Sequence, residues 1–307
     1  MTYSQGGLIQ AVDFNGFAST GSPNLNSFWA IGSSSEGYGQ PSVSNVSVNS
    51  LVYAVNWANL INAINSSASH QGTSIPFISV PITNADITYE SSLVSSLTSV
   101  YINRLNAASV GSDITNTATR TADWGTNASI PTVTSTITVT FANTNAARYF
   151  FNAGGTIRIS CSRSGGAGSP ADLAWSSLCS DIGTLGLPAS SSAQTIAGSN
   201  YTGLTKFGGS GNTDIYVRSG FYNLNSSPTN LFRQYISGAY VYTSDNIYVE
   251  FSTTGSVITI SVTFVDDSSN VTNITGNLSV TGTARPPSTT HLTNTWGTPV
   301  VSVSAPA

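Results

Sequence analysis

Between Val257 and Val265 the chain reads VITISVTFV, so Ile258, Ile260, Val262 and Phe264 alternate with Val257, Thr259, Ser261 and Thr263. A period of two places the two sets on opposite faces of a β-strand, whereas on a helix it would scatter them around the axis. Val133, Ser135, Ile137, Val139 and Phe141 repeat the pattern against Thr134, Thr136, Thr138 and Thr140. This segment predicts a half-buried strand with a threonine-rich outer face. Further strands are expected at Thr156–Ser162, Asp214–Ser219, Ile247–Ser252 and Leu278–Thr283, with Gly, Asn and Asp turns between them.

Helical spacing is confined to shorter stretches. From Leu51 to His70, Val52, Val55, Leu60, Ile61 and Ile64 predict an amphipathic helix stopped by Gly72. Leu93, Leu97, Val100, Tyr101, Leu105 and Ala108 share one face of a second, with Thr88 and Ser91 as available caps and Gly111 as terminator. The two form an expected helical hairpin joined through Pro76 and Pro81. Asn143–Asn152 predicts a helical turn carrying Tyr149, Phe150 and Phe151, and Pro170–Ile182 a short helix with Leu173, Leu178 and Ile182 inward. The expected fold class is therefore mainly β with a few helices (α+β). A soft boundary near Ser129 separates an N-terminal docking region, 1–129, with two helices from a β-sandwich or jelly-roll-like region, 130–307.

Solubility must come from something other than charge. Only 7% of the 307 residues are charged, against roughly 25% in an average soluble domain. Lys206 is the single lysine, so Ser, Thr, Asn and Gly are expected to fill the surface. With a net charge of −4 and no concentration of either sign, neither nucleic acid nor an anionic membrane is an expected partner. The opening string MTYSQGGLIQAVDF has no basic flank before an apolar run, and no window approaches the ~20 apolar residues of a membrane span. Neither export nor membrane insertion is expected.

Residues suited to catalysis are sparse. His70 and His291 stand alone in the sequence, and His70 is expected to act as a cation near the end of the first helix. Asp266-Asp267 is the one adjacent carboxylate pair. A turn is preferred over a calcium loop there, because the Asp-x-Asp-x-Asp-Gly pattern is absent. Gly165–Gly168 and Gly208–Gly211 lack the lysine of a phosphate loop. Cys161 and Cys179 fit no zinc spacing and are expected as free buried thiols, although they are able to pair. No catalytic residue, cofactor or metal is expected, and the chain is read as not an enzyme. Tyr216, Tyr222, Tyr235, Tyr240 and Tyr242 offer aromatic faces for stacking on a host surface glycan, against the plainer alternative of core or subunit packing.

The string QGGLIQAVDFNGFA, followed by LNSFWAIGSSSEGYGQ and VNWANLINAINSSASHQG, resembles virion structural proteins of tailed bacteriophages, particularly cyanophage-like contractile-tailed viruses. So do ARYFFNAGGTIRIS, from Ala147 to Ser160, and LTNTWGTPVVSV, from Leu292 to Val303. The resemblance runs in order along nearly the whole chain. It implies a particle component on or near the tail, neck or fibres, localised in the virion after assembly in the bacterial cytoplasm. It supplies no catalytic residues. The implied partners are further copies of the chain, as a homo-oligomer, and other virion proteins. Trp29, Tyr38, Trp57, Arg148 and Trp296 lie within the resembling segments and are the candidate structural or interface anchors. Competing expectations are a capsid decoration protein, a host-glycan-binding tail module using the tyrosine-rich segment, and, last, a depolymerase.

Overall fold

A computed structural model describes residues 10–76, 79–81, 90–211, 213–238, 241–268 and 272–307. Short helices α1 (Ala11–Asn15) and α2 (Leu25–Trp29) precede the longer α3 (Ala54–Gln71) and α4 (Glu90–Ile102). Strand β1 (Ile114–Arg120) leads to β2 (Thr132–Thr140), helix α5 (Thr144–Asn152), β3 (Thr156–Ser164) and helix α6 (Pro170–Ile182). Short strands β4 (Thr184–Leu187), β5 (Ala193–Ile196), β6 (Ser199–Thr202), β7 (Thr205–Phe207) and β8 (Thr213–Tyr216) follow. Then come β9 (Thr229–Tyr235), β10 (Asn246–Thr253), β11 (Val257–Val265), β12 (Asn277–Arg285) and β13 (Val300–Val303).

The strands form a five-stranded sheet in the order β1-β12-β3-β4-β7 and a six-stranded sheet in the order β13-β2-β11-β10-β9-β8, both antiparallel throughout. β5 and β6 make a separate hairpin. The two sheets meet where β13 packs against β1 and β12, with Asn116 donating to Val301 O at 3.1 Å. A methyl group added at Gly282 on β12 would lie 2.6 Å from Cγ2 of Ile137 on β2, so the missing side chain is what lets the layers close at that point. Farther along, α6 packs on β3 and β9, and Trp175 meets Phe264 of β11 and Trp124. The result is a mainly β, sandwich-like architecture with a helical N-terminal region, as the periodicities predict.

Outer faces are dressed as expected. Thr115, Thr117 and Thr119 of β1 sit opposite Thr283, Thr281 and Ser279 of β12, hydroxyl to hydroxyl, at 3.0, 2.9 and 2.8 Å. Thr134 and Thr263 repeat the pairing across β2 and β11 at 3.1 Å. Such cross-strand pairs satisfy donor and acceptor together, on the wet face of β1 and β12 and, at the buried Thr263, away from water.

The helices follow local chemistry. Ser169 caps α6, accepting from Asp172 N at 3.1 Å while Asp172 reaches back to Ser169 N, with Pro170 in the first turn. Asn143 caps α5 in the same way through Ala146 N. Gly72 ends α3 in the left-handed conformation at φ 69°.

Several expectations need adjustment. Leu173 is exposed, because Asp172, Trp175, Leu178, Cys179 and Ile182 define the buried face of α6. Val55 likewise faces outward. α4 stops at Ile102, well before Gly111, because the chain leaves the helix to place Ala107 beside Ile196 in a parallel bridge. Ser91 falls inside α4, and Thr88 lies outside the described residues. The strand expected to run to Ser219 ends at Tyr216. Residues on both sides of Ser129 contribute to the five-stranded sheet and to one continuous apolar core running from Ala11 to Val301.

Candidate functional site

A dense polar construction seats the segment between α2 and Gln40. The loop closes back on α2 through Tyr38 N to Phe28 O, Gly39 N to Ala30 O and Gln40 N to Trp29 O, at 2.9, 2.7 and 3.0 Å, and its remaining carbonyls are gathered by α5. Arg148 donates to the carbonyls of Ser34, Ile31 and Glu36 at 3.2, 3.3 and 3.0 Å, and to Asn145 Oδ1 at 2.8 Å. Asn152, buried one turn on, donates to the carbonyls of Ser34, Glu36 and Gly37. Its own Oδ1 accepts from the Tyr222 hydroxyl at 2.7 Å. Arg148 and Asn152 are four residues apart, so one face of α5 supplies both donors. Gly37, at φ 93°, permits the turn, since any added methyl would strike the Ile31 carbonyl at 2.1 Å.

Tyr38 carries the seat inward. Its hydroxyl donates to Arg104 O at 2.6 Å and accepts from Gln71 Nε2 at 2.8 Å, while its carbonyl accepts from Thr295 Oγ1 at 2.6 Å. Gln40 bonds Thr293 through both ends of its amide. Residues from α3 and the chain after α4 thus converge on one buried phenol, whose ionisation burial pushes well up, while the C-terminal segment holds the backbone of the same residue. His70 packs edge-on to the Tyr38 ring and places Nε2 2.9 Å from Ala153 O. Burial lowers it to about 4, against the backbone bond to Ala153, which raises it. It is therefore a neutral donor at pH 7, which corrects the expectation of a cation near the end of the helix.

The other anchors separate cleanly. Trp57 is buried against Phe14 and Phe17, locking α3 to the first helices. Trp296 is buried, at the base of a shallow recess with Pro286, Pro287 and Asn294. Trp29 is half-buried and donates to Pro41 O. Tyr38 and Arg148 belong to the same seat, whereas Trp57 and Trp296 serve other parts of the core.

The four described tyrosines are engaged in different ways. Tyr216 is covered by the Arg218 guanidinium, 4.0 Å above its ring. Tyr222 is committed to Asn152, and burial raises it to about 12. Tyr242 is buried. Tyr235 is half-buried and lines a groove with Asp214 and Ile236. Tyr240 lies outside the described residues.

Two buried carboxyl sites, Asp172 with Arg163 and Asp245 with Asp266, were not legible in the sequence. Asp172 is paired with Arg163, both fully buried, and also accepts from Thr275 N and Oγ1 at 2.8 and 2.9 Å. These bonds and the guanidinium hold Asp172 below the usual range, against burial, which is the largest single influence and acts in the opposite direction. Asp266 is turned inward while Asp267 is exposed. Asp266 accepts from Thr126 N at 2.6 Å and Ser268 Oγ at 3.0 Å, and Asp267 N donates to Asp245 Oδ1 at 2.9 Å. Asp245 Oδ2 is buried with no hydrogen-bond partner. Burial first, and then the Asp266 charge, raise Asp245 to about 7. A proton on Asp245 gives the pair its missing donor. Among the described residues no group of three or more His, Cys, Asp and Glu is placed to hold a metal ion, and no helix is long and apolar enough to cross a membrane.

No family model matches the chain, and comparison with curated proteins and with solved structures gives no match.

Proposed function

We propose that this chain is a non-enzymatic structural component of a tailed-phage virion, an oligomeric tail, neck or fibre part whose work is assembly. The observation that carries the reading is the exposed face of β1 and β12, where threonine and serine hydroxyls pair with one another across the strands. A neutral face of this kind meets copies of itself without like-charge repulsion. Val48, Leu51, Tyr53 and Val55, all more than half exposed between α2 and the start of α3, add apolar surface suited to burial against a neighbour. The polar groups of the Tyr38 and Arg148 seat are spent on the chain's own backbone. That arrangement suits a rigid part better than a reacting one.

Immunogold labelling of intact particles, viewed by electron microscopy, tests the proposal. Label confined to tail, neck or fibres supports it. Label over the whole head moves the assignment to capsid decoration, and particles that never label remove the chain from the virion.

A further inference from the structure

Strand β3 turns Ile157, Ile159, Cys161 and Arg163 toward α6 and the core. Arg163 sets how the helix lies on the strand: besides its ion pair, it donates to Asp172 O at 2.5 Å and to Ser176 Oγ at 3.2 Å. Asp172, Ser176 and Cys179 succeed one another at helical spacing on that side of α6. One pleat back along β3, Cys161 therefore meets Cys179. Its thiol donates to the Cys179 carbonyl across 3.9 Å, which sets the two cysteines side by side. Cys161 is half-buried and Cys179 fully buried, and no disulfide joins them in this structure. We propose that Cys161 and Cys179 are a reversible thiol–disulfide pair, closed by a small-molecule disulfide such as oxidised glutathione.

The step balances through two exchanges. The more accessible Cys161, as thiolate, attacks one sulfur of oxidised glutathione, forming a mixed disulfide and releasing one glutathione thiolate. The Cys179 thiolate then attacks the Cys161 sulfur, forming the protein disulfide and releasing the second glutathione. The protein loses two electrons and two protons, and one glutathione disulfide is reduced to two thiols. The neighbouring Cys179 thiol, together with burial, pushes the Cys161 thiol up, so little thiolate is present at neutral pH and closure is slow. Reopening is slow because a reductant must reach a sulfur pair between sheet and helix. The bond would fasten α6, which carries Trp175 into the core, to the centre of the five-stranded sheet. The proposal stands independently of the virion reading.

The test incubates the native full-length protein with oxidised glutathione at pH 8 and follows intact mass, with alkylation after unfolding to count free thiols. The expected product has lost two hydrogens, carries no glutathione, resists alkylation and melts at higher temperature, all reversed by dithiothreitol. Cys179→Ser is expected to stop at the mixed disulfide on Cys161. Two free thiols after prolonged incubation, a stable glutathione adduct on the native chain, or closure only in denaturant would each overturn the proposal.

Discussion

Asp245 sits wholly buried with its carboxyl group against that of Asp266, and one of its oxygens has no donor. Two ionised carboxylates in that position repel across a poorly solvated gap, so the native state favours a proton on Asp245.

The sign of the resulting pH dependence is opposite to that of a salt-bridged acid. The folded state holds the Asp245 proton up to about pH 7, whereas the unfolded chain releases it near 3.8. Its contribution is complete below 3.8 and is lost as pH rises through about 7, with a slope approaching about 1.4 kcal/mol per pH unit in between. Asp245→Asn keeps a neutral donor. Urea unfolding between pH 4 and 8 should show the variant gaining on the native chain as pH rises; parallel curves would sink the idea.

His70 works the other way. Folded, it stays neutral to about pH 4; unfolded, it takes a proton near 6.5. Its contribution is present above 6.5 and lost as pH falls toward 4, so it opposes Asp245 over most of that window. His70→Gln, which keeps a donor for Ala153 O, should make stability rise more steeply on acidification than in the native chain. The same urea titration reads both variants, and their slopes should diverge in opposite directions.

Gly282 is a question of space. Gly282→Ala should cost about 1–3 kcal/mol through the clash with Ile137, as overpacking does. Ile137→Ala removes the obstructing carbon at the expense of a cavity. In a double-mutant cycle the pair should therefore be less damaging than the sum of the two changes. Strict additivity would mean that the layers shift to make room.

Arg163→Met should leave Asp172 charged and buried with only the neutral donors of Thr275 and Ser169 N, and should cost about 3–5 kcal/mol by chemical denaturation. Adding Asp172→Leu should recover only part of that, because Thr275 N would then lose its acceptor. Full recovery would show that the donors on Asp172 have found water.

Much of the fold was legible where periodicity was strong. Thr132–Thr140, Val257–Val265 and Pro170–Ile182 emerge almost as read, because alternation or capping is written into consecutive residues. β1 escaped notice because ITNTATR lies at a sheet edge with most positions exposed and has no apolar stripe to betray it. β13 is four residues long and gains its meaning only beside β2. The seat around Tyr38 was visible only as a set of suggestive aromatics. Arg148 and Asn152 bind backbone carbonyls, which every residue possesses, so no residue type in the 31–40 loop announces the contact. Asp245 and Asp266 are twenty-one positions apart, and only the closing of β10 against β11 brings them together.

The hydroxyl ladder along β1 and β12 has a consequence for motion as well as for charge. Threonine has a single branched side-chain torsion, and a partner across the strand fixes where its hydroxyl points. A surface of long lysine and glutamate side chains surrenders much rotational freedom when something settles on it, whereas this one has already given up nearly all it has. Contact there orders little that was not ordered before, so many weak contacts repeated over many copies accumulate without a matching entropic cost.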